Sequence, residues 1–168
     1  MIIVLLSLPL ALAWSDYSNI TGYYKLDLNP AVFYDSTGNN TNGTITGAVY
    51  ESLITKINGS LLFDGQDDQV ITGFATSASS GHSFCAWVYP TANPPSNGAV
   101  IYMGQAGVYE FLVMGAYTTG CDNTHFCYAN YDSSYRVAKA TTAFALNTWA
   151  FVCGVKTSSL TKIYWNGV

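Results

Sequence analysis

Short apolar segments alternate with polar, turn-forming residues along almost the whole chain. Each segment is rich in β-branched and aromatic side chains and is bounded by Gly, Asn, Asp, Pro or Ser, a pattern typical of β-strands. No window shows a convincing helical period. The pattern predicts strands at Tyr23–Leu26, Thr44–Val49, Ser60–Phe63, Gln69–Ile71, Ser83–Tyr89, Ala99–Met103, Tyr109–Met114, Phe126–Asn130, Tyr135–Ala138, Ala150–Val155 and Thr161–Trp165. About eleven short strands without helices predict an all-β fold, either a two-sheet sandwich or a barrel.

Turn signals separate the predicted strands. The dipeptides Asn42-Gly43 and Asn166-Gly167 enter positive φ at little cost, so they predict tight turns. Pro90 and Pro94-Pro95 interrupt the pattern after the strand ending at Tyr89, because proline has no N–H to donate to a sheet.

Composition narrows the class of protein. The chain has 168 residues, enough for one domain of ordinary size, and 49% of them are hydrophobic, so a sizeable core can be buried. Only 10% are charged and the net charge is -4, which leaves no basic surface for a phosphate backbone. Nucleic acid is therefore excluded as a partner. A surface of Ser, Thr, Asn, Gly and Tyr indicates a protein that works outside the cytosol.

The N-terminal segment has the features of an export signal. Ile2–Ala13 is almost wholly apolar but too short to cross a bilayer core of about 30 Å as a helix. Ala11-Leu12-Ala13 offers a cleavage site, with Ser15 as a second choice. We therefore predict a signal peptide at residues 1–15 and a domain at 16–168. A retained anchor or a buried strand are the alternatives. No membrane span is expected after cleavage, and the protein is predicted to be secreted or held at the cell surface.

Four cysteines in an exported chain favour disulfides over a metal site. Cys85 and Cys153 both lie in apolar runs, whereas Cys121 and Cys127 flank a short polar stretch that could be a loop closed by its own bridge. Of three possible pairings we favour Cys85 with Cys153 and Cys121 with Cys127. A zinc site formed by these cysteines with His125 is the alternative, although metal-ligand spacing is absent.

Six segments in order carry a resemblance to a known family. They are Gly22–Asp27, Tyr34–Thr44, Leu62–Val70, Ser83–Pro90, Trp149–Val155 and Lys162–Val168. Together they resemble the strands and loops of the laminin-G-like, concanavalin-A-like jelly roll. The resemblance implies a two-sheet antiparallel jelly-roll sandwich that acts as a non-catalytic recognition module.

The cysteines add a narrower likeness to pentraxins, which share this fold. Cys85 and Cys153 fall at positions matching a pentraxin disulfide, which supports the favoured pairing, whereas the pentraxin calcium ligands have no match. The family's fold normally continues beyond the hairpin that ends at Val168. We therefore expect a C-terminally incomplete domain: a gene fragment, a truncated chain, or a subunit completed by a strand from a partner chain.

Two groups of residues are candidates for binding. Asp64, Asp67 and Asp68 could offer oxygen ligands to calcium, which laminin-G-like domains often bind at a loop rim, although we favour turn capping as their role. The second group lies among small polar residues, where a ring exposed on a loop can stack on a sugar. It comprises Tyr117, Tyr131 and Tyr135. By contrast, Trp87, Trp149 and Trp165 lie in apolar strands and are predicted to belong to the core.

Catalysis has little support in the sequence. Glycosidases of this fold use paired carboxylates on one strand, but Glu51 and Glu110 are the only glutamates and are far apart in the sequence. We therefore predict a recognition or adhesion module rather than an enzyme, with glycans or glycosylated surface proteins as partners. A structural surface or particle component is the first alternative, and a carbohydrate-active enzyme the second.

Overall fold

The computed structural model describes residues 2–4, 20–26, 32–73, 81–94, 98–105, 108–116 and 120–168. Within these ranges the chain forms β-strands and no helix, as the alternating pattern predicts. No helix in the described part could therefore span a membrane. The chain divides into two compact units, an N-terminal unit, Ile2–Phe74, and a C-terminal unit, Ala75–Val168.

The N-terminal unit contains five short strands in two antiparallel groups. The first group has β1 and β3 paired on either side of β4, and the second pairs β2 with β5. The strands are β1 (Ile2–Val4), β2 (Gly43–Thr46), β3 (Val49–Glu51), β4 (Ser60–Leu62) and β5 (Gln69–Thr72). Strand β1 lies inside the predicted signal peptide, whose cleavage stays a prediction.

Local backbone chemistry explains where this unit departs from the predicted strands. Gly47 adopts φ 77°, a conformation that L side chains rarely enter, and it divides the predicted strand Thr44–Val49 into β2 and β3. In place of a strand at Tyr23–Leu26 there is a single bridge between Tyr24 and Asp35. The predicted turn at Asn42-Gly43 is also wrong, because Gly43 begins β2.

The segment after Tyr34 is organised by one carboxylate. Asp35 accepts hydrogen bonds from the backbone N–H of Tyr23 at 3.1 Å and from the hydroxyls of Thr37 and Thr41 at 2.7 Å. Burial alone would raise the pKa of Asp35, but hydrogen bonds from Thr37, Thr41 and Tyr23 outweigh burial and lower the pKa to about 2. The polar Gly/Asn-rich loop is thus held in one conformation by hydrogen bonds rather than by apolar burial.

The C-terminal unit is a two-layer sandwich. One layer has the strand order β12-β11-β6 and the other β10-β9-β8-β7, all antiparallel. The strands are β6 (His82–Tyr89), β7 (Gly98–Gln105), β8 (Val108–Met114), β9 (Phe126–Asp132), β10 (Tyr135–Lys139), β11 (Ala150–Lys156) and β12 (Thr161–Trp165). Each matches a predicted strand within two residues. The turn at Asn166-Gly167 also forms as predicted, with φ 50° and 88°.

The core of this unit follows the two-residue period of its strands. Every second residue of β11, from Ala150 to Lys156, is buried. Opposite this strand, the ring of Tyr128 lies so close to Gly154 that a Cβ at position 154 would collide with it. Alternate positions therefore face the other layer, and glycine is required where the largest ring crosses the core.

Both disulfides have the favoured pairing, and they lie in this unit. Cys85 and Cys153 are direct partners in the β6–β11 register, with Cα atoms 4.1 Å apart. Cys121 and Cys127 close a loop in which Asp122 bonds His125 Nδ1 at 2.7 Å. His125 and Thr124 hold the pKa of Asp122 below its ordinary range. No free cysteine is present to support the zinc alternative.

The three tryptophans do not form the core that we expect for them, because each is only half-buried. Trp87 packs against Phe151 at a centroid distance of 5.2 Å, and Trp149 packs against Tyr89 at 5.3 Å. Trp87 lies beside Cys85 on the strand face turned away from the other layer, since the intervening Ala86 is fully buried.

Candidate functional site

The outward face of the four-stranded sheet carries one tyrosine from each strand. Glu110 of β8 contacts the opposite layer, so the odd-numbered residues of β8 lie on the other face of the sheet, where Phe111 and Val113 are nevertheless buried at 2% and 0%. Across this face the strands contribute Tyr135 from β10, Tyr131 from β9, Tyr109 from β8 and Tyr102 from β7. We call these four residues the tyrosine row.

Strand register creates the tyrosine row. Tyr131 is the direct partner of both Tyr135 and Tyr109, so the three rings must lie side by side. Centroid distances are 4.8 Å from Tyr135 to Tyr131 and 6.2 Å from Tyr131 to Tyr109. The last step, from Tyr109 to Tyr102, is 6.4 Å with the rings nearly parallel at 18°. The row extends about 15 Å, or three strand spacings.

The row has exposed ends and a packed centre. Tyr102 and Tyr135 are 54% and 53% exposed, whereas Tyr109 and Tyr131 are half-buried. Beside the row on the same face, Phe111 pairs with Tyr102 in the β7–β8 register, is only 2% exposed and lies 5.1 Å from the ring of Tyr102. The rings therefore pack against one another and against Phe111, while the two end rings stay about half exposed.

This arrangement brings together part of the predicted binding group. Tyr131 and Tyr135 are direct neighbours, while Tyr117 lies outside the described residues. Tyr109 and Tyr102 escape the sequence analysis because they lie in apolar strands that look like core. Their partners across the sheet, rather than their own neighbours in sequence, reveal them.

The inward face of the same sheet holds a buried carboxylate that links the two layers. Glu110 is 3% exposed. Its Oε1 accepts a hydrogen bond from Lys156 Nζ at 2.9 Å, and its Oε2 accepts one from the Tyr128 hydroxyl at 2.9 Å. His82 Nε2 also contacts Oε2. Lys156 and His82 belong to β11 and β6, so both layers of the sandwich meet at this residue.

The electrostatics of this buried network favour the ionised form of Glu110. Burial alone would raise the pKa of Glu110, but hydrogen bonds from His82 and Lys156 and the charge of His82 lower it below its ordinary value. Burial and the negative charge of Glu110 together raise the pKa of Tyr128 above its ordinary range. The four side chains thus satisfy one another inside the sandwich.

The acidic group predicted from the sequence is also brought together. One oxygen from each of Asp64, Asp67 and Asp68 lies within 4.8 Å of the others. Asp68 accepts a hydrogen bond from the Asp64 N–H at 2.7 Å, and Asp64 accepts one from the Gln66 N–H at 2.8 Å. The oxygen ligands suit calcium, but two carboxylates already cap the turn. A metal role for this group stays a prediction.

Both glutamates of the chain make hydrogen bonds inside their own unit. Both Glu110 oxygens are engaged by buried partners, and Glu51 lies in the N-terminal unit, where its Oε1 accepts a hydrogen bond from the Leu53 N–H at 2.6 Å. These hydrogen bonds give both glutamates a role within the fold.

Two facing antiparallel sheets, connected as described, define a β-sandwich. A laminin G family model, described as the concanavalin A-like lectin/glucanases superfamily, matches residues 64–168, more than half of the 168-residue chain. The chain therefore belongs to this superfamily, and the predicted family and fold class are confirmed. No curated protein and no solved structure matches the chain.

Proposed function

We propose that the protein is an extracellular, non-catalytic recognition module that binds carbohydrate through the tyrosine row. The observation that carries this proposal is the register that places one tyrosine from each of four adjacent strands on a single outward face. Aromatic faces stack on the apolar C–H face of a sugar, while phenol hydroxyls bond its hydroxyl groups. A row about 15 Å long suits an oligosaccharide of a few rings.

Burial and charge favour this ligand over others. The ends of the row are about half exposed, as a binding platform requires, and its two central rings are half-buried, so binding would order few side chains. The row itself carries no charge, which favours a neutral glycan over an anionic partner. Two disulfides and the family membership support an extracellular location, where glycans and glycosylated surface proteins are abundant.

A glycan array measured with the full oxidised chain tests the proposal. The array compares the unmodified protein, the double variant Tyr131→Ala/Tyr135→Ala and the control Tyr34→Ala. Tyr34 is 59% exposed but belongs to the N-terminal unit rather than the row. We expect binding to fall about tenfold or more in the double variant and to be retained in the control.

Repeating the array with calcium and with a chelator tests the acidic group separately. Binding that needs calcium and is lost in Asp68→Asn would assign a ligand-contacting metal to Asp64, Asp67 and Asp68. Binding that is unaffected by calcium removal and by Asp68→Asn would assign the three aspartates to the turn alone. No binding under either condition, together with ordered self-assembly, would favour the structural-component alternative. Turnover of a β-glucan that is lost in Glu110→Gln would favour the enzyme alternative.

A further inference from the structure

Three buried polar side chains meet where the two layers of the C-terminal unit face each other. Glu110, Asn130 and Lys156 are 3%, 1% and 6% exposed. Their chemistry is complementary, because one is a carboxylate, one is a primary amide and one is an amine. The interior of the unit therefore holds a proton acceptor, an electrophilic carbonyl and a nucleophile away from bulk water.

Strand register brings these side chains together. Glu110 and Asn130 are direct partners in the β8–β9 pair, and the Cβ atoms of such partners lie about 4.5–5.5 Å apart. In the opposite layer, Lys156 is the direct partner of Thr161. Lys156 Nζ lies 2.9 Å from Glu110 Oε1, and Thr161 Oγ1 lies 3.2 Å from Asn130 Oδ1. The two pairs therefore face each other, so the Lys156 amine and the Asn130 amide border the same space.

Each member of this cluster suits one role in forming an amide bond. Glu110 Oε1 accepts the hydrogen bond of Lys156 Nζ, so it can take a proton from the ammonium group and leave a nucleophilic amine. The other Glu110 oxygen is held by the partners described above, which fixes the carboxylate. The Thr161 hydroxyl donates to Asn130 Oδ1, where negative charge develops when the amide carbon is attacked.

We propose that Lys156 and Asn130 form an intramolecular isopeptide bond that joins the two layers. Lys156 Nζ attacks Asn130 Cγ, and the Cγ–Nδ2 bond breaks. The Lys156 ammonium gives up two protons in turn to Glu110, which passes both to the departing nitrogen, so ammonium leaves and the carboxylate is regenerated. Protonated lysine and a primary amide thus give a secondary amide and ammonium, with no oxidant, cofactor or second substrate. The hydrogen bonds described above belong to the unreacted state.

Position and exclusion of water favour this otherwise slow reaction. Well-oriented groups within one molecule react as if one of them were present at about 10⁵–10⁸ M. The amine, the amide and the carboxylate are almost fully buried, so water competes poorly for the amide carbon.

The bond would add a connection that the disulfides do not provide. Cys85 and Cys153 join two strands of the same layer, and Cys121 and Cys127 close a short loop. The isopeptide bond would instead connect β9 to β11 across the core. The two layers would then stay joined in a reducing agent and under a pulling force. None of this depends on sugar binding.

Peptide mapping of the full chain tests the proposal. The folded, oxidised protein is incubated at neutral pH for several days and is then unfolded, reduced, alkylated and digested with trypsin. Reduction is needed because the disulfide between Cys85 and Cys153 links the same two peptides. The isopeptide bond blocks cleavage after Lys156, so peptides 57–136 and 140–162 should be recovered as one linked pair. Its mass should be lower than the sum of the two peptides by one ammonia.

Matched variants assign the bond to its two side chains. Lys156→Arg and Asn130→Ala should abolish the linked pair, whereas Lys162→Arg, which changes an exposed lysine of β12, should keep it. Tandem mass spectra distinguish the linked pair from succinimide formation at an Asn-Gly step, which also loses ammonia but joins no second peptide. Absence of the linked pair from the folded, unmodified protein, or its persistence in Asn130→Ala, would overturn the proposal.

Two further variants test the assigned roles. Glu110→Gln removes the proton acceptor and Thr161→Val removes the hydroxyl that bonds Asn130, so each should slow formation of the bond about a hundredfold or more. Glu51→Gln is the matched control and should react at the unmodified rate. Native disulfide pairing verifies folding, and Thr161→Val keeps every buried charge if Glu110→Gln does not fold. Formation at the unmodified rate in folded Glu110→Gln or in Thr161→Val would refute the mechanism, while the proposal for the tyrosine row would still stand.

Discussion

The two faces of the four-stranded sheet use neighbouring residues for opposite purposes. Glu110 is 3% exposed and joins the two layers, whereas Tyr109, one position earlier, faces outward among stacked rings. On the inward face, the charged Glu110 carboxylate is bonded by Tyr128 from its own sheet and by Lys156 from the other sheet. On the outward face the tyrosine rings pack against one another and against Phe111, and the two end rings are about half exposed. Strand alternation thus separates what stabilises the unit from what it can recognise.

The largest expected effect is on the inward face. Glu110→Ala leaves Lys156 and His82 without their buried acceptor, and removing one partner of such a network costs about 3–5 kcal/mol. Urea unfolding of the oxidised protein measures the loss. Glu51→Ala, which affects an exposed turn contact, is the control and should change the free energy of unfolding by less than about 1 kcal/mol. Equal effects would refute the distinction between buried and surface carboxylates.

Packing on the inward face gives the next effect. Gly154→Ala inserts a methyl group against the ring of Tyr128, and overpacking of this kind costs about 1–3 kcal/mol. Gly73→Ala is the control, because nothing lies within 4 Å of the Cβ that it would add and its backbone has no positive φ. The shift in thermal midpoint compares the two. If Gly154→Ala is neutral, the Tyr128 ring does not cross the core as described.

Acid should reduce the contribution of Glu110 to the stability of the fold. The folded-state pKa of Glu110 lies below its ordinary value of 4.5. Its ionisation therefore stabilises the fold fully above that value, and this contribution is lost as pH falls through the lower folded pKa. The stability difference between the unmodified protein and Glu110→Gln should shrink below about pH 4.

Comparing these two proteins cancels the acid sensitivity of Asp35, whose pKa is about 2. Urea unfolding between pH 7 and pH 3 gives the comparison. A difference that stays constant over this range would contradict the ionised state assigned to Glu110.

The smallest effect belongs to the outward face. Tyr135 is 53% exposed, so Tyr135→Ala should change the free energy of unfolding by no more than about 0.5 kcal/mol. The same urea titration checks it. A loss as large as that of Glu110→Ala would mean that the tyrosine row is part of the structural core rather than a binding surface.

Local patterns in the sequence predict most strands but not the groups those strands bring together. Every strand of the C-terminal unit is predicted from the alternation of short apolar segments with turn residues, because this alternation is a local signal. Lys156 and Glu110 are 46 positions apart, and only register and layer packing place them at 2.9 Å. The same reason hides Tyr102 and Tyr109, which look like core until their partners across the sheet are known.

Two of the errors in the N-terminal unit also have local causes. The positive φ of Gly47 interrupts the segment Thr44–Val49, which is predicted as one strand. The pattern of hydrophobic residues does not reveal this backbone conformation. Near Tyr24, the Asp35 carboxylate accepts hydrogen bonds that hold the polar loop. These side-chain hydrogen bonds replace the backbone hydrogen bonds of the strand predicted at Tyr23–Leu26.

The most direct test of the account is glycan-array binding of Glu110→Gln and Tyr131→Ala/Tyr135→Ala, each measured at a temperature where the variant is fully folded. The account predicts that Glu110→Gln binds like the unmodified protein despite its lower stability, whereas the tyrosine variant loses binding while staying folded. Equal loss of binding in both variants, or retained binding in the tyrosine variant, would contradict it.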